Sequence, residues 1–260
     1  MCIRDSVNGL SRTTSGTYID YLVAATGNNT FRLVGADGSF VGGVDNVSVK
    51  EATDADFDFT RGSSATRVAE NGLIEDVQIL SSNLVTNGDF SQIGSELVVN
   101  GDFATNSDWN FVGDGSISNG ELILPCCISN NRVSQSIGMS SSKSYKLEIN
   151  ITEITSGDTI DFLQGGSWTP FGTQLGINVA YITNPSDAAL FLRNNNGTGK
   201  IKIDNVSVKE VGQNWSFGTS WSIGDGVAIS NGSGSYLTDN VSSGFTSGKK
   251  YRVSLEIVEY

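Results

Sequence analysis

The chain has 260 residues with 38% hydrophobic side chains, 31 glycines and a formal net charge of −12, enough for about two loop-rich globular domains. The acidic balance argues against a nucleic-acid backbone or an anionic membrane surface as partner, because neither offers positive charge to meet it. Histidine is absent, which excludes Ser-His and Cys-His nucleophiles, histidine-ligated zinc and histidine acid–base catalysis together.

The first residues, Met1-Cys2-Ile3-Arg4-Asp5-Ser6, differ in character from the rest of the chain and are similar to translated sequencing-adapter sequence, so they are set aside from the fold. Cys2, Cys126 and Cys127 supply no legible disulfide framework, because adjacent residues pair only with strain. No stretch approaches the roughly 18 apolar residues of a membrane helix, and the start lacks the apolar core of a signal peptide. Membrane insertion is not expected.

Residues 1–51 hold apolar runs at 18–25 and 31–34, a Gly-rich turn and the heptapeptide Asp45-Asn46-Val47-Ser48-Val49-Lys50-Glu51. That heptapeptide returns unchanged as Asp204-Asn205-Val206-Ser207-Val208-Lys209-Glu210, which marks an internal repeat. Each copy follows an alternating apolar run and reads as the closing strand of a β-domain. Residues 1–51 are therefore expected to be the C-terminal half of a β-sandwich repeat. Residues 52–83 read as a connector carrying a hairpin at Asn71-Gly72, a type I′ turn signal.

Residues 84–211 read as one complete module. Asn87-Gly88-Asp89-Phe90 and Asn100-Gly101-Asp102-Phe103 are copies of one opening motif. Only the second leads at once into Asp108-Trp109-Asn110-Phe111 and a full set of strands, so the first reads as a duplicated lead-in, with the domain proper starting near Glu96. The clearest strand is 145–152, with Tyr145, Leu147, Ile149 and Ile151 on a packed face and polar residues on a wet one. In the closing strand, Ile201 and Ile203 share one parity while Val206 and Val208 share the other. A β-bulge at Asp204-Asn205 would bring all four to the core and turn Asp204 out of the ladder.

Residues 212–260 begin the pattern again, Ser220-Trp221-Ser222-Ile223 paralleling the region of Trp109, and Tyr251 onward paralleling Tyr145 onward. They read as the N-terminal half of a further repeat. The fold class expected is all-β: antiparallel jelly-roll β-sandwich modules in tandem, one complete and two partial, from a polypeptide that was originally longer. The missing parts of 7–51 and 214–260 are roughly complementary, which raises the hypothesis that the two dock as one permuted sandwich and cover each other's apolar faces and strand edges; the sequence alone does not decide it.

The opening "LVVNGDF", a Trp a few residues later and the ending "IKIDNVSVKEV" together resemble the family 4 and 9 carbohydrate-binding modules, which share the galactose-binding-like jelly roll. The run "FTRGSSATRVAENGLIE" resembles a segment that recurs in bacteriophage tail and fibre proteins ahead of lectin-like modules. These resemblances imply non-catalytic binding of a cell-surface or polymeric glycan by a virion tail or extracellular protein, homo-oligomeric if it is a fibre. A ligandless spacer and an accessory module of a secreted glycoside hydrolase are the alternatives.

Sugar recognition needs flat apolar faces for ring C–H surfaces and fixed polar groups for hydroxyls. The stretch 164–174 supplies both in a Gly-flanked loop, so Trp168, Phe171, Gln164 and Gln174 are candidate ligand contacts, with Arg193 and Asn195 from the next loop. Trp168 reads equally as a loop plug, and Arg193-Asn194-Asn195-Asn196 as a turn former. Trp109 and Tyr181 are expected in the core. The family resemblance also implies a structural calcium ion, with Asp102 and Asp204 as candidate ligands, since carboxylate oxygens suit that cation. Ala104 departs from the family pattern, which often has Glu there, and both aspartates read as well as turn caps. No carboxylate pair is marked out for glycoside hydrolysis: Asp114, Asp158 and Asp187 fall in turns and Glu148 alternates onto a wet strand face. No enzymatic activity is expected.

Overall fold

The structure, a computed structural model, describes residues 2–4, 12–24, 31–34, 40–52, 66–68, 74–76, 79–126, 131–195, 198–232, 234–239 and 245–259. Among these residues there is no helix, and the sheets are antiparallel. The first strands are β1 (Cys2–Arg4), β2 (Gly16–Val23), β3 (Phe31–Val34), β4 (Val41–Ala52), β5 (Thr66–Val68) and β6 (Ile74–Asp76). There follow β7 (Ile93–Glu96), β8 (Asn110–Val112), β9 (Ser116–Ser118), β10 (Glu121–Pro125), β11 (Arg132–Ser136), β12 (Ser144–Ile154), β13 (Thr159–Gln164), β14 (Ser167–Gly172), β15 (Gly176–Thr183), β16 (Ala189–Asn195) and β17 (Lys200–Val211). The last are β18 (Trp215–Phe217), β19 (Trp221–Gly224), β20 (Val227–Asn231), β21 (Tyr236–Asp239) and β22 (Lys250–Glu259). Contacts divide the chain into two compact units, Gln92–Gln213 and a two-segment unit of Met1–Ser91 with Asn214–Tyr260.

The contiguous unit is a sandwich of two sheets, ordered β15-β12-β17-β10-β9 and β14-β13-β16-β11-β8, with β7 pairing on β17. Period-two alternation builds its core. Tyr145, Leu147, Ile149 and Ile151 of β12 and Ile201, Ile203, Val206 and Val208 of β17 face Ile160 and Phe162 of β13, Val133 of β11, and Leu190 and Leu192 of β16. The parity slip in β17 is a β-bulge. Asn150 of β12 lies opposite Asn205 and Ile151 opposite Ile203, so Asp204 has no partner in the ladder. All four apolar residues of the slipped strand are thereby buried.

The opening motif closes this sandwich. Asn100 and Phe103 both adopt left-handed backbone conformations (φ 53° each), and Phe103 packs on Trp109 at 5.6 Å between ring centroids. The Trp109 indole N–H donates to the Asn100 carbonyl (3.0 Å). Gly101 sits so close to the closing strand that a Cβ there would lie 2.2 Å from the Val206 carbonyl oxygen, while its own carbonyl accepts the Val206 N–H (2.9 Å). The two motifs legible in the sequence are thus the two halves of one latch.

The two-segment unit repeats this plan from opposite ends of the chain. Its sheets are β19-β20-β4-β22-β2 and β1-β3-β21-β18, with β22 from the second segment inserted between β4 and β2 of the first. The bulge recurs: Ser254 lies opposite Ser48 but Glu256 opposite Asp45. Residues 84–91, grouped by sequence with the complete module as a duplicated lead-in, belong to this unit instead. The physical reason is a second latch. Val47 N–H donates to the Gly88 carbonyl (2.7 Å), Phe90 packs on Trp215 at 5.1 Å, and the Trp215 indole donates to the Asn87 carbonyl (3.0 Å). Trp215, not Trp221, therefore holds the place of Trp109. Trp221 is a further core residue, 1% exposed and packed against Phe40.

Three other expectations meet the structure here. Residues 2–4, set aside by sequence, form β1 paired with β3. The connector hairpin is present as β5–β6, with Val68 opposite Ile74; its Asn71-Gly72 turn lies outside the described residues. Cys126 is disulfide-bonded, which the cysteine spacing did not reveal.

Candidate functional site

The stretch expected to be a binding loop, 164–174, is a hairpin. β13 turns at Gly165-Gly166, both with positive φ (58° and 81°), and returns as β14 with Gln164 opposite Ser167 and Leu163 opposite Trp168. Two consecutive left-handed residues are what a two-residue hairpin turn requires, and glycine meets that demand without strain. Alternation then sends the side chains in different directions. Phe171 turns inward and meets Phe162 edge-on at 5.3 Å. Trp168 stays half-buried on the outer face, where the Arg193 guanidinium lies 4.4 Å over its ring. Arg193 is held by Asp161, which is buried and accepts from its Nε (3.1 Å) and Nη2 (3.0 Å). One face of the indole is thus already stacked on by a cation.

The other candidates do not converge on Trp168. Gln164 donates from Nε2 to the Thr183 carbonyl (3.3 Å). Gln174 is exposed, and its carbonyl accepts from Asn178 Nδ2 (2.9 Å). The Asn195 carbonyl accepts from Thr159 Oγ1 (3.2 Å), whereas its neighbour Asn194 points into the core and donates to the Leu124 carbonyl (3.1 Å) and to Asp158 Oδ2 (3.2 Å).

The calcium ligands fare no better as a set. Asp102 Oδ1 accepts the Ala104 N–H (3.3 Å), as a turn cap does. Asp204 Oδ2 accepts from Asn150 Nδ2 (3.3 Å). Among the described residues no three acidic or cysteine side chains gather around one point, so the donor set does not fit a carboxylate-rich cation site.

The arrangement that does converge lies on the outer face of the first sheet of the contiguous unit. Because Tyr145, Leu147, Ile149 and Ile151 point inward, Lys146, Glu148 and Asn150 of β12 point out. Beside Glu148 and Asn150 stand Ser207 and Asn205 of β17 on one side, and Val179 and Ile177 of β15 on the other. The bulge adds Asp204 to the same face. Glu148, Asn150, Ile177, Asp204, Asn205 and Ser207 line an open groove of about 290 Å³. Its rim on the β15 side is bare hydrocarbon, with Ile177 74%, Leu175 66% and Val179 43% exposed. Tyr181, expected in the core, lies half-buried on this same column opposite Lys146, while Ile182 beside it is the buried residue.

Hydrogen bonds fix the polar columns. The Asn150–Asp204 bond orients both side chains across the groove. Ser207 Oγ donates to Glu96 Oε2, and Glu96 Oε1 also accepts the Val208 N–H (2.8 Å). Lys146 pairs with Glu148 (3.1 Å). The result is a floor of carboxylate, amide and hydroxyl groups flanked by an apolar ridge. Carboxylates accept, amides donate and accept, and a hydroxyl does both, so such a floor suits a ligand rich in hydroxyl groups.

The corresponding face of the two-segment unit carries Asp45, Asn46, Ser48, Ser254 and Glu256, with Ile19 and Tyr21 exposed on β2. Here the polar groups satisfy one another: Asn46 Nδ2 donates to Asp45 Oδ2 and to Glu256 Oε2 (3.2 Å each). Burial pushes the Asp45 carboxyl up from its ordinary range, and the nearby Glu256 and Asp89 add to the shift.

No family model matches the chain, and no curated protein matches it. A solved structure described as "CBM4 structure and function" is matched with 19% sequence identity, over 48% of this chain and 99% of that chain, at a TM-score of 0.28.

Proposed function

We propose that the chain binds a glycan without chemistry, through the outer-face groove of the contiguous unit, as part of a phage tail or other extracellular surface protein. What carries the proposal is the three-column face: the apolar ridge of Ile177 and Val179 beside the polar rows Glu148–Asn150 and Asn205–Ser207. Glycans have the same two-sided chemistry, with C–H faces to cover and hydroxyls to match. The family resemblance in the opening and closing motifs supports the reading, and the phage-like connector supports the setting. The groove is open and shallow, which suits a stretch of polymer running across the sheet better than a small molecule enclosed on all sides.

The test is affinity electrophoresis and glycan-array binding of the full chain, with Asn150→Ala and Ile177→Ser beside it. Retardation by at least one polysaccharide, weakened about fivefold by either substitution, is expected, since a lost hydrogen bond or apolar contact is worth about 1 kcal/mol. Absence of binding to every glycan would leave the spacer reading. That reading has its own support: Arg193 covers one face of Trp168 and Phe171 faces the core.

A further inference from the structure

We propose that the two-segment unit can be completed in trans, with β22 of one copy of this chain entering the slot between β4 and β2 of a second copy.

The slot and its occupant are both explicit. β22 pairs with β4 from Lys250 opposite Ala52 to Glu259 opposite Gly43, and with β2 from Lys250 opposite Val23 to Ile257 opposite Gly16. It is a central strand, hydrogen-bonded on both edges. Its Tyr251, Val253, Leu255 and Ile257 are at most 3% exposed. Without it, β4 and β2 would show two bare edges and a stripe of uncovered core, the state in which strands recruit a partner.

In the contiguous unit the equivalent strand β12 is tied into the module at both ends by β11 and β13, and cannot leave without unfolding it. By contrast, β18–β22 are separated in sequence from β2–β4, the strands they pair with, by the whole contiguous unit. The contiguous unit between the segments has its own core, and its first and last strands lie side by side, Ile93 opposite Val211. It can act as a rigid carrier whose two exits start from one place, so exchange needs opening only at those exits.

Concentration decides between the closed and exchanged forms. A tethered segment sees its own slot at an effective concentration of order millimolar, so dilute folded chains close on themselves. Chains refolded together at comparable concentration exchange segments, the usual route to domain-swapped assembly.

The test uses two full-length variants with complementary defects, Val253→Asp/Leu255→Asp in β22 and Val47→Asp/Val49→Asp in β4. Neither can build the two-segment unit alone, but a mixed pair contains one sound copy of each segment. Co-refolding the pair should give a heterodimer of twice the 27.5 kDa chain mass and restore a cooperative second melting transition. Refolding wild-type chains carrying two different tags should give doubly tagged dimers only when unfolding precedes mixing, and β22 substitution should abolish them. A mixed pair that stays monomeric, or wild-type dimers that persist despite the β22 substitutions, would overturn the proposal.

Discussion

The two units are one architecture assembled by two routes, and their differences separate what the fold requires from what each copy can vary. The closing strands β4 and β17 share almost the same burial pattern, although the strand each pairs with precedes it in one unit and follows it in the other. Both latches place a glycine against a valine carbonyl and a tryptophan against a phenylalanine. Chain continuity is therefore not part of the specification; the register of latch, bulge and central strand is. What varies is polar. In the contiguous unit Gln135 clamps the backbone of Val99, accepting from its N–H and donating to its carbonyl (2.8 Å each). In the two-segment unit the matching place beside Thr86 is held by Asp239, a buried carboxylate whose oxygens have no hydrogen-bond partner of ordinary geometry.

The largest expected effects break one unit and spare the other. Gly88→Ala and Gly101→Ala would each drive a methyl into backbone, at 1.9 Å from the Val47 oxygen and 2.2 Å from the Val206 oxygen respectively. Each should destabilise its own unit by roughly 3 kcal/mol or more. Differential scanning calorimetry should show one transition lowered and the other unmoved; a common shift of both would contradict the independence of the two latches.

A second way to separate the units is pH. Burial pushes the Asp239 carboxyl up to about 7 from its ordinary value of 3.8, and the Thr86 N–H only partly offsets it. Its neighbours in register are Trp215 on β18 and Phe31 on β3, and neither titrates. A folded-state value above the unfolded one means that the folded chain holds the proton more tightly. Below about pH 4 both states are protonated and there is no penalty. As pH rises from about 4 to about 7, the two-segment unit should lose stability, up to a few kcal/mol, and above that the loss should level off. Asp239→Asn should flatten this profile and raise the melting point at pH 8. An unchanged profile would sink the assignment.

Smaller effects separate the two faces of the contiguous unit. Trp168→Ala should cost about 1–2 kcal/mol, through lost packing and the lost Arg193 contact, and leave glycan binding unchanged. Ile177→Ser should do the reverse, weakening binding while leaving the melting point within about 0.5 kcal/mol, because Ile177 is already exposed. Trp168→Ala with lost binding and unchanged stability would return the site to the hairpin.

Much of the fold was legible because its signals are local. The alternation at Tyr145–Ile151, the parity slip at Asp204 and the repeated heptapeptide each need only a few residues to be read. The first opening motif was misassigned because its partners, Val47 and Trp215, are far from it in sequence. Only the three-dimensional latch shows which closing strand it serves. The stretch 164–174 differs from its expected form for a related reason. Aromatic residues between glycines suggested an exposed loop, but the Gly165-Gly166 turn makes a hairpin whose alternation buries Phe171 and lays Trp168 under Arg193. The groove carries no tryptophan, and the repeated heptapeptide that supplies its Asp204, Asn205 and Ser207 reads in sequence only as a closing strand. It exists because polar residues alternate with core residues on two separate strands, and nothing in the sequence says that Glu148 will stand beside Ser207 rather than another wet residue.

Amide hydrogen exchange of the full chain, with and without a polysaccharide that retards it, tests the central claim most directly. Slowed exchange confined to 148–150, 177–179 and 204–207, with 164–174 unchanged, is the expected result. Protection at 164–174 alone, or no protection on the β15–β12–β17 face, would contradict it.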